Sequence, residues 1–201
     1  MTQLTFWYDF ASSYSYLSAL RIESLCGESG IKHVWRPFLL GAIFQSQGWN
    51  TSPFNIYEAK GAYMIRDIAR VAQNRELPPF RLPSEFPQKS LLAARIGTLG
   101  ANSEWIADYT KSVLARQFVD GLEVEEPETH VHLLNALGQP GKAIVSRAAT
   151  DTDNKLKLRR NTELAQEMGL FGAPSFVTDD AEVFWGDDRL EGAIDWALKH
   201  A

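Results

Sequence analysis

The first apolar run, Leu4–Tyr8, is short and aromatic and breaks at Asp9, the pattern of a buried strand. From Tyr14 to about Cys26 the apolar residues Tyr16, Leu17, Leu20, Ile22 and Leu25 fall close to a helical stripe, which Gly27 and Gly30 stop. Ser12 and Ser13 stand where an N-cap belongs. His33–Pro37 has the character of a second strand. The polar, glycine-bearing stretch Gly41–Phe54 behind it predicts a long loop. The chain therefore opens as strand, helix, strand.

Beyond residue 56 the periodicity changes. Tyr57–Asn74, Ser90–Leu99, Glu104–Phe118 and Pro127–Leu137 are helical in pattern, with Pro-rich connectors at Leu77–Pro87 and around Pro127, and a further helix is expected over Thr152–Met168. Gly169–Val177 is then a turn entering a short strand, Glu182–Trp185 a second strand, and Gly186-Asp187-Asp188 the opening of a last helix ending near His200. This order, β-α-β, helical block, β-β-α, predicts an α/β chain: a thioredoxin-like four-stranded mixed sheet with an inserted all-helical domain. The expected boundaries are 1–55 with 165–201 for the sheet domain and 56–164 for the insertion.

Composition narrows the function. The 201 residues are 45% hydrophobic, with six Trp, eleven Phe and six Tyr, enough to bury a sizeable core. A net charge of −5 offers no broad basic surface, so neither nucleic acid nor an anionic membrane is an expected partner. The first residues, Met1-Thr2-Gln3-Leu4, lack a basic segment followed by an apolar one, and no apolar run is long enough to span a bilayer; the expectation is a soluble, cytoplasmic protein. With Cys26 as the single cysteine, an intrachain disulfide and a cysteine-based metal cluster are excluded within one chain.

Three positions carry chemistry. Asp9-Phe10-Ala11-Ser12-Ser13-Tyr14-Ser15 runs from a strand end into a helix start, where unpaired N–H groups and a partial positive charge favour an anion such as a thiolate. A redox enzyme of this plan places Cys-x-x-Cys there; here the spacing is Ser12-x-x-Ser15. Alone, Ser12 is explained as a helix cap. In Phe171-Gly172-Ala173-Pro174-Ser175-Phe176, a proline facing the active helix, typically cis in such folds, would let the Ala173 backbone pair with an extended peptide such as glutathione, although an ordinary turn fits the hexapeptide equally well. In Phe184-Trp185-Gly186-Asp187-Asp188-Arg189-Leu190, two carboxylates at a helix start suit an ammonium group, yet Asp caps helices without any ligand. Lys60 could reach a carboxylate or stand solvated on its helix.

Taken together, these segments resemble the 2-hydroxychromene-2-carboxylate isomerases and the related kappa-class glutathione transferases. The resemblance spans almost the whole chain, on D-F-A-S-S-Y-S-Y-L at 9–17, R-P-F-L-L-G-A-I-F at 36–44, K-G-A-Y-M-I-R-D-I-A-R at 60–70, F-P at 86–87, G-L-F-G-A-P-S-F-V at 169–177 and F-W-G-D-D-R-L at 184–190. It implies glutathione as cofactor, with Ser12 contacting its sulfur, Ala173 and Pro174 pairing with its backbone, Lys60 and Asn50 at its glycyl end and Asp187 and Asp188 at its γ-glutamyl end, and it implies a homodimer. Two positions depart from the family pattern: Ser13 stands where proline is usual after the serine, and Phe86-Pro87-Gln88-Lys89 replaces F-P-x-N with a cation.

The activity so implied is addition of a glutathione thiolate to a small aromatic substrate, rotation and expulsion, with glutathione regenerated. The alternatives are a transferase that keeps the conjugate and a non-enzymatic thioredoxin-like binding module. Lys89 and Arg36 are candidates to meet a substrate carboxylate. His130 and His132, alternating in H-V-H, are expected on a helix surface, Cys26 as a buried small residue, and Tyr14, Tyr16 and Phe44 as candidates to line an apolar cleft.

Overall fold

β1 (Gln3–Tyr8) is covered on both faces, which is why its sequence is almost continuously apolar rather than alternating. In the computed structural model, which describes residues 2–49 and 51–201, it lies inside a four-stranded sheet of order β2-β1-β3-β4. β2 (Lys32–Pro37) runs parallel to it, while β3 (Ser175–Thr178) and β4 (Val183–Trp185) follow antiparallel. The register sets Phe6 between Trp35 and Phe176, and Trp7 between Arg36 and Ser175. Leu4, Phe6 and Tyr8 therefore share one face; Phe6 stacks on Phe176 at 5.5 Å and meets Trp35 edge-on at 5.2 Å. Trp7 faces the other way, into a smaller cluster with Phe38, Ile43, Ala165 and Leu170.

The remaining elements are α1 (Ser13–Ala19), α2 (Ile22–Glu28), α3 (Leu40–Ser46), α4 (Pro53–Ile56), α5 (Glu58–Asn74), α6 (Leu91–Leu99), α7 (Ile106–Phe118), α8 (Pro127–Ala136), α9 (Gly141–Thr150), α10 (Thr152–Glu167) and α11 (Leu190–Lys199), with a 3-10 turn at Asp187–Arg189 opening the last. The fold class expected from the sequence is the one observed. No helix among the described residues is long and apolar enough to cross a membrane.

Three local expectations change. The single helix expected over Tyr14–Cys26 breaks at Leu20–Arg21 into α1 and α2, because Arg21 turns toward Asp187 and Glu191 on the far side of the chain. Within the expected loop Gly41–Phe54 lie α3 and the short α4. The start of α3 is pinned by long-range bonds, Leu39 N–H donating to Thr162 Oγ1 at 3.1 Å and Leu40 N–H to Asp9 Oδ2 at 2.7 Å. α9 occupies a stretch for which the pattern gave no element.

The sheet and the helical block are not separate cores. One buried cluster joins Phe6 and Phe176 of the sheet to Tyr109, Leu134 and Val145 of the helices. The expected boundary at 164/165 falls inside α10, whose Ala165 packs on the Trp7 face of the sheet.

Candidate functional site

The C-terminal end of β1 runs through Asp9 into Ser12, the N-cap of α1, held in extended conformation at φ −93 and ψ 114. Ser12 N–H donates to the Asp9 carbonyl at 3.0 Å. The buried Asp9 carboxylate shapes the turn: Oδ1 accepts Ala11 N–H at 2.8 Å and Oδ2 accepts Leu40 N–H at 2.7 Å. Burial pushes its carboxyl pKa up, against the lowering effect of those backbone bonds. Ser12 Oγ accepts Ser15 N–H at 3.2 Å, as an N-cap does, and donates across the fold to the Ala173 carbonyl at 2.8 Å. Ser15 Oγ lies fully buried with no partner among the described residues.

Opposite Ser12, the Ala173–Pro174 peptide bond is cis. The Ala173 carbonyl accepts only the Ser12 hydroxyl, and its N–H has no partner among the described residues. The Pro174 carbonyl accepts Gly186 N–H at 3.0 Å, and Ser175 Oγ donates to the Gly172 carbonyl at 2.9 Å, so the loop is tied on both sides of the free group. Phe171 and Trp185, half exposed with ring centroids 4.6 Å apart, stand beside it, and a Cβ at Gly172 would land on the Trp185 indole. α5 packs beside α1, where Ser13 Oγ lies 3.8 Å from Met64 Sδ and Tyr14 OH donates to Asp67 at 3.0 Å. Lys60 sits one turn before Met64 on that helix, exposed, its Nζ 6.0 Å from the Phe54 ring. Asn50 lies outside the described residues.

The two neighbouring carboxylates part company. Asp187 is 4% exposed, and its oxygens accept Ser18 Oγ at 2.9 Å, Arg21 at 3.4 Å and Arg75. Both of its oxygens are engaged within the chain. Asp188, with a side chain 69% exposed, meets only Arg189 among the described residues, at 3.3 Å.

His130 corrects the sequence reading. It is 1% exposed, its Nδ1 2.9 Å from Tyr109 OH, and desolvation pushes its pKa down to about 4, whereas His132 is on the surface as expected. The missed signal was spacing: His130 shares its helix face with Leu134 and Leu137. Tyr16 is fully buried, its hydroxyl donating to the Pro78 carbonyl at 3.0 Å, so it lines no open cleft. Tyr14 and Phe44 keep partial exposure. Cys26 is buried, its thiol pushed up to about 11 by desolvation. Lys89 is exposed and paired with Glu125 at 3.0 Å, while Arg36 lies half-buried over the Trp7 ring. Asp9, Arg75 and Phe171 had no assigned role in the sequence, since what singles them out is long-range, and Trp185, an aromatic expected in the core, is instead half exposed.

A β2-β1-β3-β4 sheet with a helix-capping residue facing a cis-proline loop defines a thioredoxin fold, one with a hydroxyl where redox members carry a thiol. A family model described as a DSBA-like thioredoxin domain matches residues 3–195, and the chain belongs to that family. Two curated relatives carry the name 2-hydroxychromene-2-carboxylate isomerase: one from Sphingobium xenophagum, 24% identical over 94% of each chain, and one from Pseudomonas putida, 26% identical over 92% of this chain and 89% of its own. A solved structure of 2-hydroxychromene-2-carboxylate isomerase superposes with a TM-score of 0.83 at 24% identity, covering 98% of this chain and 95% of that one.

Proposed function

We propose that the chain is a glutathione-dependent isomerase that converts 2-hydroxychromene-2-carboxylate, or a related intermediate of aromatic degradation, to trans-o-hydroxybenzylidenepyruvate. The observation that carries the reading is the hydroxyl of Ser12 at the reactive turn, facing Ala173, in a chain whose single thiol is elsewhere and protonated. Cys26 is buried on α2 with a pKa pushed up to about 11, so it offers almost no thiolate near neutrality. A sulfur nucleophile at this turn has to be brought in.

The residues present fit glutathione. The unpartnered Ala173 N–H, and the lone pair its carbonyl retains beside Ser12, are what an extended peptide needs to pair as an added strand. Bound glutathione supplies a thiolate that adds to the unsaturated ring system and leaves after bond rotation, so it is not consumed. Ser12 can turn its O–H from the Ala173 carbonyl to an approaching sulfur while Oγ keeps the Ser15 N–H, a charge-assisted contact that lowers the thiol pKa. Lys60 offers an exposed ammonium for the glycyl carboxylate and Asp188 a largely exposed carboxylate for the γ-glutamyl amine. Asp187, its oxygens already engaged, acts by positioning Asp188; Asn50 is retained for the glycyl end on the resemblance. The isomerase so proposed is a cytoplasmic homodimer without nucleic-acid or membrane partners.

The test is to follow 2-hydroxychromene-2-carboxylate by absorbance with and without glutathione while measuring free thiol. Turnover should require glutathione and leave its concentration unchanged, and Ser12→Ala should lower kcat/KM by about 10²–10³ while keeping the native circular dichroism. Turnover without glutathione overturns the proposal. Loss of thiol into a stable conjugate makes the chain a kappa-type transferase, and absence of glutathione binding by calorimetry makes it a binding module.

A further inference from the structure

A groove of about 330 Å³ lies between α3, α6 and α10, floored by Leu39, Ala42, Leu91 and Leu158. Arg95 from α6 and Lys155 from α10 stand at its rim, both half-buried, and neither is paired with a carboxylate among the described residues. The third cation there, Arg159, is matched by Glu163 at 2.7 Å and contributes little net charge. Thr162 Oγ1 is also engaged, accepting Leu39 N–H and donating to the Leu158 carbonyl. In a chain of net charge −5, Arg95 and Lys155 line one hollow whose own carboxylate, Glu163, is taken up by Arg159.

An anion set against two cations that lack a carboxylate partner gains charge-assisted contacts to both. The apolar floor adds a second requirement, because an inorganic anion leaves Leu39, Leu91 and Leu158 wet whereas a ligand with a hydrophobic body covers them. The volume is at the lower end of small-molecule sites, which run to about 300–1,000 Å³. We infer that this groove binds a small organic carboxylate with an apolar body, its carboxylate against Arg95 and Lys155 and its body on the leucine floor. This site stands apart from the Ser12 turn and does not rest on the glutathione reading. The two are neighbours through Asp9, whose one oxygen holds Ala11 beside Ser12 and whose other holds Leu40 at the groove.

The probe is 2-naphthoate, titrated into the full chain and followed by amide shifts in heteronuclear NMR, with the neutral 2-naphthalenemethanol in parallel. Shifts should be saturable and centred on residues 39–42, 91–95 and 155–162. Arg95→Glu and Lys155→Glu should each weaken binding about tenfold or more, and so should replacing the carboxylate by the alcohol. Lys142→Glu, an equal charge change at an exposed position of α9, should leave it within about twofold. Arg95→Gln and Lys155→Gln give the same reading should a reversal unfold the chain. Equal affinity for the alcohol, indifference to the Arg95 and Lys155 variants, shifts centred on Ser12 and Ala173, or no saturable shifts in the millimolar range would each overturn the proposal.

Discussion

The two ends of α1 present polar groups in opposite conditions. At the N-terminal end, Ser12 holds a partly exposed hydroxyl whose one donated bond, to the Ala173 carbonyl at 2.8 Å, can be exchanged for another acceptor. At the C-terminal end, Ser18, Arg21 and Arg75 converge on Asp187, which is buried and engaged on both oxygens. The same family likeness points to both ends as ligand contacts. What separates them is access, since the first end keeps an exchangeable bond on a partly exposed residue and the second is shut in by three partners, so the proposal puts chemistry at Ser12 and architecture at Asp187.

The largest effect should come from breaking the closed end. Asp187→Asn leaves Arg21 and Arg75, both mostly buried, facing an amide instead of a carboxylate. Loss of one partner from a buried ion pair typically costs about 3–5 kcal/mol. Urea unfolding should show that loss as a lower midpoint with an unchanged slope. A variant of native stability that fails only to bind glutathione would return Asp187 to the ligand site.

Acid probes a second closed group, His130, in the helical block. Its pKa falls from 6.5 in the unfolded chain to about 4 in the fold because burial disfavours the imidazolium. A depressed folded-state value means that the unfolded chain binds the proton more readily as pH drops. The stability is therefore intact above 6.5 and lost progressively down to about 4. This gap is worth about 3 kcal/mol. Unfolding midpoints of the wild type should fall more steeply between those pH values than those of His130→Gln, which keeps a partner for Tyr109 but cannot titrate. Parallel curves would show that His130 is not the group responsible.

How much of this was legible in the sequence depends on the range over which each signal acts. β1 and the longer helices declared themselves because their apolar spacing is local. α3 did not, since Ile43 is its one buried side chain and its start is fixed by Asp9, 31 residues away. The break between α1 and α2 was hidden for the same reason: Leu20, Ile22 and Leu25 continue the stripe, and Arg21 answers to an aspartate 166 residues on. At the site, Ser12 and Ala173 were readable as a pair because the fold plan brings their turns together. The division between Asp187 and Asp188 was not, because adjacent aspartates look alike until Arg21 and Arg75 are placed.

Ser12→Ala sharpens the contrast from the open end. The variant loses the cap on Ser15 N–H and the tie to Ala173, a cost of about 1 kcal/mol for a helix cap. The thermal midpoint should drop by about 2–4 °C in a chain of this size. That is well short of the Asp187→Asn effect, whereas the order reverses for kcat/KM. A Ser12→Ala variant as unstable as Asp187→Asn would mean that the hydroxyl is held for structure after all.

The smallest change in stability should come from Asp188→Asn, and it sets the two neighbouring aspartates against each other most directly. Asp188 is largely solvated and meets only Arg189 at 3.3 Å, so its charge contributes little to the fold. The unfolding free energy should stay within about 0.5 kcal/mol of the wild type. Removing an exposed carboxylate from the proposed γ-glutamyl end should instead raise the dissociation constant of glutathione about tenfold, the weight of one charge-assisted bond of about 1.5 kcal/mol. Calorimetry at low and high salt separates this from a diffuse surface effect: a contact to a bound ammonium persists in salt, whereas an unengaged surface charge is screened. Unchanged affinity in Asp188→Asn, with weakened affinity in Asp187→Asn, would exchange the parts assigned to the two residues.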